Sequence, residues 1–236
     1  MKRIMAGELI YHLAEPASEP WKTVVLYHGW GGRVESYQAF AEILVGQGFR
    51  VVVPEIVYND TRKPVKNPFE METVQTYFWK AITESIEEFG ALQKVLGVPE
   101  TEIVLVGSSM GGFIAAGIFA RHPRIAGFAS INGSGAFVLT EQIFRERQDR
   151  SKMDEQTAAL LKGFDPMEVR PGKGAVLLIN GELDRTVPLE GHAAYYRHLT
   201  EEFQHQQAES KIFKGTGHRF TSEMEEAVLD WLQEFT

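Results

Sequence analysis

Short runs of β-branched and aliphatic residues alternate along the chain with longer stretches whose apolar positions recur every three or four residues. Thr23–Tyr27, TVVLY, is the first clear run and stops at His28-Gly29; Phe49–Val53, FRVVV, is the next and stops at Pro54. Ile103–Val106, Ile125–Ile131, Ala175–Ile179 and a short Ser210–Phe213 follow, and His12 sits on an earlier strand. Runs of this kind read as strands. Helical spacing predicts a helix over Glu35–Gly46, with Tyr37, Phe40, Ala41 and Leu44 on one face. A longer one covers Glu70–Leu96, where Met71, Val74, Phe78, Ile82, Ile86, Phe89 and Leu92 recur, and Gly97 and Pro99 end it. Gly111–Arg121, Leu189–Leu199 and about Ser222–Phe235 complete the set.

The strands are almost uniformly apolar. Half-exposed antiparallel strands alternate instead, so these runs predict a parallel sheet covered on both faces. Strands that alternate with helices require crossover connections, which makes the fold class α/β. Two intervals break the rhythm. Asn59–Pro68 is polar, carries two prolines and reads as a loop. Ser134–Gly172 is charged and helix-prone but has no strand. It is either a small lid over one edge of the sheet or a pair of surface helices.

Composition narrows the classes. A chain of 236 residues, 44% hydrophobic and 24% charged, suits one α/β domain spanning 1–236, with 134–172 as an insertion. A net charge of −8 argues against a general nucleic-acid binder, which needs a basic stripe. The absence of cysteine removes disulfides, a thiolate nucleophile and cysteine zinc sites, and it fits a reducing compartment. The N-terminal MKRIMAGELIYHLAEP lacks the long apolar stretch of a signal peptide, and no run approaches the length of a membrane span. A cytoplasmic protein with no membrane partner is expected. Oligomeric state is not readable.

Candidate chemistry concentrates where strands end. Gly107-Ser108-Ser109-Met110-Gly111 fits G-x-S-x-G with Ser109 at its centre; Ser108 does not fit, because Val106 and Met110 occupy its flanking glycine positions. IVLV precedes the motif and FIAAGIFA follows, the strand–turn–helix setting in which a serine hydroxyl is lifted clear of the backbone. A serine needs a base, and the base needs an orienting acid. Of seven histidines, His218 lies in GTGH after the last strand, at the same edge of the sheet as Ser109. Asp184, in NGELDRTVP, directly follows AVLLI; Glu182 is a nearby alternative, and an Asp beside a turn also serves simply as a cap. The order Ser109, Asp184, His218 is that of the α/β-hydrolases. His28-Gly29-Trp30-Gly31-Gly32 follows an early strand, as an oxyanion loop does. The expected oxyanion donors are the Trp30 and Met110 N–H groups, with His28 shaping the loop.

YHGWGG, GSSMGG, NGELDRTVP and GTGH, together with GFRVVVPE and YFWKAITESIEEFG, span nearly the whole chain. They resemble the α/β-hydrolases, in particular small bacterial esterases of the YitV-like group related to dienelactone hydrolase and the prolyl oligopeptidase catalytic domain. The resemblance implies an eight-stranded, mostly parallel sheet and serine esterase chemistry. The chain departs from it in three ways. It has no cysteine, where dienelactone hydrolase itself uses one. It has no room for the propeller of the prolyl oligopeptidases. It carries Glu55-Ile56-Val57-Tyr58-Asn59-Asp60 where many relatives have a glycine-rich turn.

The expected activity is hydrolysis of a small carboxylic ester through an acyl-enzyme on Ser109, with His218 as base and Asp184 as its orienting acid. No metal or organic cofactor is required. A thioesterase or acyltransferase would use the same triad, and a non-catalytic binding protein on the same fold is the rival from another class. Trp30, Tyr58, Met110 and Phe137 are the expected pocket residues.

Overall fold

The structure is a computed structural model that describes Met1–Thr236. Its sheet has eight strands: β1 (Lys2–Ala6), β2 (Leu9–Ala14), β3 (Thr23–Tyr27), β4 (Arg50–Pro54), β5 (Ile103–Ser108), β6 (Gly127–Ile131), β7 (Ala175–Gly181) and β8 (Ala208–Phe213). They lie in the order β1-β2-β4-β3-β5-β6-β7-β8. β1 and β2 form an antiparallel hairpin that joins β4 antiparallel, and every pairing from β4 across to β8 is parallel. β1 escapes the hydrophobic pattern because it is an edge strand with two lysine or arginine side chains and little buried surface.

Side chains on successive strand residues leave opposite faces of the sheet. Val25, Leu105, Phe128 and Val176 enter one core of 28 buried residues, while Val24, Val104, Ala129 and Leu177 enter another of 21. Helices α2 (Met71–Leu96) and α3 (Met110–Arg121) cover the first face; α1 (Gln38–Gly46) and the C-terminal α7 (Ser222–Leu232) cover the second. All residues of α3 from Met110 to Phe119 are buried, so this helix has sheet on one side and α2 on the other. Burial on both sides is why its sequence, MGGFIAAGIFAR, has no polar stripe.

Element ends differ from the sequence reading where local geometry decides them. The helix expected from Glu35 opens as a tight turn over Val34–Tyr37 before α1 begins. The strand expected from Ile125 starts at Gly127, since the Ile125 N–H closes a turn onto the His122 carbonyl. Helix α6 (Leu189–Arg197) ends two residues early and widens into a looser turn over His198–Glu202. The interval Ser134–Gly172 holds α4 (Phe137–Arg147) and α5 (Glu155–Phe164). Asp154 caps α5 by accepting from the Thr157 N–H at 2.8 Å. Asp165 ties both ends of the insertion, accepting from Val138 N–H and Met167 N–H at 2.8 and 3.0 Å. Helix α4 reaches the body through Glu141, which accepts from the Trp79 indole N–H on α2 at 2.8 Å. No helix is long and apolar enough to cross a membrane.

His192 holds α6 onto the last two strands. Its Nδ1 donates to Asn180 Oδ1 at 2.6 Å, and its Nε2 accepts from the Ser210 hydroxyl at 2.8 Å. Burial disfavours the imidazolium and pushes its pKa down to about 4 from 6.5. Below pH 6.5 the unfolded chain therefore takes up this proton first. The stability carried by neutral His192 is full above pH 6.5 and is lost as pH falls toward 4, at up to ~1.4 kcal/mol per pH unit. Urea unfolding at a series of pH values should show that slope, and His192→Gln should flatten it; an unchanged slope in the variant would assign the acid sensitivity to other groups.

Candidate active site

The turn between β5 and α3 places Ser109 at φ 55°, ψ −120°, a conformation that side-chain-bearing residues rarely adopt. Such strain costs of order 1–3 kcal/mol and persists only where the surroundings enforce it. Here the Ser109 N–H donates to the Ile131 carbonyl at 2.7 Å, and the Ser109 carbonyl accepts from Gly112 N–H at 2.8 Å. The flanking glycines are steric necessities. A Cβ on Gly107 would overlap the Gly111 carbonyl, and one on Gly111 would overlap the Tyr27 carbonyl at the end of β3. The serine thus rides on a turn packed backbone to backbone. Ser108, by contrast, is the last residue of β5 and pairs with Ile131 in the ladder.

Two further loops meet that serine. His218 Nε2 lies 2.9 Å from Ser109 Oγ, and His218 Nδ1 lies 2.7 Å from Asp184 Oδ2. The other Asp184 oxygen accepts from the N–H groups of Thr186 and Val187 at 2.8 and 3.0 Å. Asp184 is therefore both a turn residue and the partner of the imidazole, and its side chain is fully buried while that of His218 is a quarter exposed. An ionised Asp184 takes the Nδ1 proton as a hydrogen bond, leaving the Nε2 lone pair toward the serine hydroxyl. Glu182 turns instead to the Gly215 N–H at 3.0 Å. Among the other histidines, His12 pairs with Glu55, His122 with Glu100 and His198 with Glu202, and His205 accepts from the Gln207 N–H.

Sequence reasoning missed Asn132, just beyond β6. It sits at φ 51° and is almost fully buried. Its Nδ2 donates to the Arg219 carbonyl at 2.8 Å, its Oδ1 accepts from Gly181 N–H at 2.9 Å, and its backbone N–H reaches the Ile179 carbonyl at 2.7 Å. One side chain thereby joins the ends of β6 and β7 to the loop that carries His218. The available signal was Ile-Asn-Gly at a strand end, since Asn tolerates positive φ better than most residues.

The loop after β3 approaches from the other side. A Cβ on Gly29 would stand 3.2 Å from that of Ser109. Fully buried His28 donates from Nδ1 to the Gly29 carbonyl at 2.8 Å and pairs through Nε2 with Asp60 Oδ2 at 2.6 Å. Asp60 also accepts from the N–H groups of Val34 and Ile56, and Asn59 accepts from Gly31 N–H. So residues of the Glu55–Asp60 segment hold this loop in shape. The Trp30 N–H donates to no backbone carbonyl, and Met110 N–H opens α3 directly after Ser109. Free N–H groups at a helix start favour negative charge nearby.

A cleft of about 290 Å³ lies over Ser109 and His218. Trp30, Phe69, Phe78 and Phe144 give it an aromatic wall, and Glu141 and Arg150 lie at its polar part. Only Trp30 among the four expected pocket residues lines it. Tyr58 stands outside, with its ring against Tyr77 and its hydroxyl donating to Glu84 at 2.8 Å. Met110 and Phe137 are fully buried in the core behind the cleft. Phe78 belongs to the apolar stripe of α2, and spacing alone does not separate a cleft-facing position from a core-facing one. No group of three or more His, Asp or Glu side chains is placed to share a metal ion.

Residues 10–231 match the profile of the Dienelactone hydrolase family. The chain belongs to that family. Among its relatives, Esterase YjfP of Escherichia coli K12 is 30% identical over 132 residues, which is 53% of this chain and 51% of YjfP. The match to that relative therefore spans about half of its length. YitV of Bacillus subtilis 168 is 25% identical over 190 residues, 73% of this chain and 72% of YitV. Among solved structures, TT1662 from Thermus thermophilus superposes with a TM-score of 0.76 at 21% identity, covering 99% of this chain and 96% of that one. The fold is that of the α/β-hydrolase esterases. In this family member the residue on the strained turn is a serine.

Asn132→Gly keeps the backbone conformation but removes both side-chain bonds and strands the Gly181 N–H. It should lower stability by ~1–3 kcal/mol in urea unfolding. Asn132→Ala adds an unfavourable φ and should lose more; equal losses would show that the left-handed backbone contributes nothing.

Proposed function

We propose that this chain is a serine esterase that cleaves small carboxylic esters through an acyl-enzyme. The observation that carries the reading is the relay from Ser109 Oγ to His218 at 2.9 Å and on to Asp184 at 2.7 Å. In the first half-reaction Ser109 Oγ attacks the ester carbonyl carbon as its proton passes to His218 Nε2. The carbonyl oxygen becomes negative between the N–H groups of Trp30 and Met110, which stabilise the tetrahedral intermediate. Collapse expels the alkoxide, which takes the proton back from His218 and leaves as the alcohol. In the second half, water gives a proton to His218 as its oxygen attacks the acyl-serine carbonyl; the new intermediate collapses by breaking the bond to Ser109 Oγ, which takes that proton back from His218, and the acid is released. Asp184 remains a carboxylate throughout, orienting the ring and stabilising its charged form.

The name esterase carried by YjfP and the size of the cleft support an ester of modest size. The α4–α5 insertion is read as a cap, because Phe144 and Glu141 of α4 help to line the cleft.

A fluorophosphonate probe should label Ser109 alone, as read by intact mass and peptide mapping, and Ser109→Ala should lose both label and turnover. Folded wild-type protein that resists the probe would argue for a binding protein on the same scaffold. Asp184→Asn should lower kcat by about 10⁴-fold with a small change in KM. Parallel assays of one acyl group as ester, thioester and amide should rank the ester first; a faster thioester would move the assignment to that class.

A further inference from the structure

A second groove opens at the edge of the sheet opposite Ser109. It has a volume of about 500 Å³ and lies between Arg170–Lys173, which lead into β7, and Phe203–Gln207, which lead into β8. Ser109 and His218 follow the far ends of β5 and β8, so the groove stands a strand's length, roughly 20 Å, from the cleft. Both stretches are held by backbone contacts. Gly172 is buried, and a Cβ on it would stand 2.6 Å from the Pro123 carbonyl. The looser turn over His198–Glu202 is a widened helical turn of a kind that recurs at functional sites. Beyond it Gln204 takes φ 51°, the His205 N–H donates to the Leu199 carbonyl at 2.9 Å, and the Gln207 carbonyl accepts from the Val176 N–H at 2.7 Å.

No carboxylate lines the groove, although the chain carries a net charge of −8. Its two cations, Arg170 and Lys173, are exposed, and neither has an ion-pair partner. The flanking Glu168, Glu202 and Glu209 are taken by Lys162, His198 and Lys211 at 3.6, 2.9 and 3.8 Å. Glu201 is exposed and outside the groove. The Arg170 guanidinium lies 6.0 Å from the centre of the Phe203 ring, within reach of cation–π attraction. His205 also lines the groove. Its Nδ1 accepts from the Gln207 N–H at 3.3 Å, so the neutral ring carries its proton on Nε2. That Nε2 is buried and has no hydrogen-bond partner, although the nearby Gly172 and Gly174 carbonyls favour a proton on the ring. A buried N–H without an acceptor is costly. The exposed amides of Gln204, Gln206 and Gln207 complete a lining rich in donors.

We propose that this groove binds a small molecule bearing a phosphate group, at a site separate from the cleft over Ser109. The Arg170 fork engages two phosphate oxygens and the Lys173 ammonium a third. The His205 Nε2–H gains the acceptor it lacks, and the glutamine amides donate to the oxygens that remain. A carboxylate, with two oxygens, leaves much of this donor set idle. A nucleic-acid strand needs a continuous basic track, and here one short cationic groove sits on an acidic protein. The site does not depend on the esterase reading.

Isothermal titration calorimetry at low salt reads the binding directly, with inorganic phosphate, pyrophosphate, glycerol 3-phosphate and AMP as probes. At least one should bind saturably with a Kd of about 1 mM or tighter. The same probe should bind about tenfold or more tighter than glutarate or acetate. Arg170→Gln combined with Lys173→Gln should weaken it by about tenfold or more. Arg33→Gln combined with Lys66→Gln removes the same charge from exposed positions at the cleft edge and should leave the affinity unchanged, as should Ser109→Ala. In proton NMR the His205 ring signal should shift with the probe more than that of any other histidine. No saturable binding of any probe, binding that survives the loss of Arg170 and Lys173, or an equal loss in the charge-matched control would overturn the site. Retention on phosphatidylcholine vesicles containing phosphatidic acid, with no binding of the free probes, would put the phosphate on a lipid headgroup and overturn the small-molecule reading.

Discussion

The approach of the Gly111 backbone to the Tyr27 carbonyl sets the geometry of everything above the sheet. At ordinary helix–sheet spacing a side chain would lie between them. Without one, α3 sits directly over the end of β3, and the turn that feeds it has no room to relax. Ser109 is the residue left to absorb the sharp reversal, and its positive φ is the consequence. The same closeness brings Gly29 against the serine, so the loop after β3 and the start of α3 frame one small space. A single steric constraint therefore fixes the exposure of the hydroxyl and the placing of the N–H groups beside it. The cores supply the counterforce, since Phe113, Ile114 and their neighbours on α3 lock the helix in place.

Above that turn the structure changes from apolar packing to polar bracing. The loops at this edge have little hydrophobic surface to bury, so hydrogen bonds from a few buried polar side chains hold them instead. Asp60 gathers His28, Val34 and Ile56; Asp184 gathers His218, Thr186 and Val187; Asn132 gathers Gly181 and Arg219. Asp60 and Asp184 each engage three groups through both carboxylate oxygens, and Asn132 uses both ends of its amide. That makes the bracing directional, whereas apolar contacts are not. It also makes each one sensitive to loss, because a buried N–H left without its acceptor costs more than the bond itself contributes.

The strands and helices that form the two cores were legible because burial on both faces leaves uninterrupted apolar runs. The serine, the histidine and the aspartate were legible because each follows such a run and sits at the same edge. Asn132 and Asp60 were not, since their importance lies in which loops they join and spacing along the chain carries no trace of that. Strand β1 has too little buried surface to leave a pattern. The pocket wall was misplaced at Tyr58, Met110 and Phe137 because proximity in sequence to the serine or to its loops says little about which way a side chain points. Phe144 and Phe69 line the cleft from segments whose own patterns mark only a charged helix and a polar loop.

Ser109 and His218 are 109 residues apart in the chain, and β6, β7 and β8 are laid down between them. Contacts of such long range form only after much of the chain has ordered. In a nascent or partly folded molecule Ser109 therefore has no His218 beside it. The Ser109–His218 contact arrives with the last strand of the sheet, so that contact doubles as a reporter that the topology is complete.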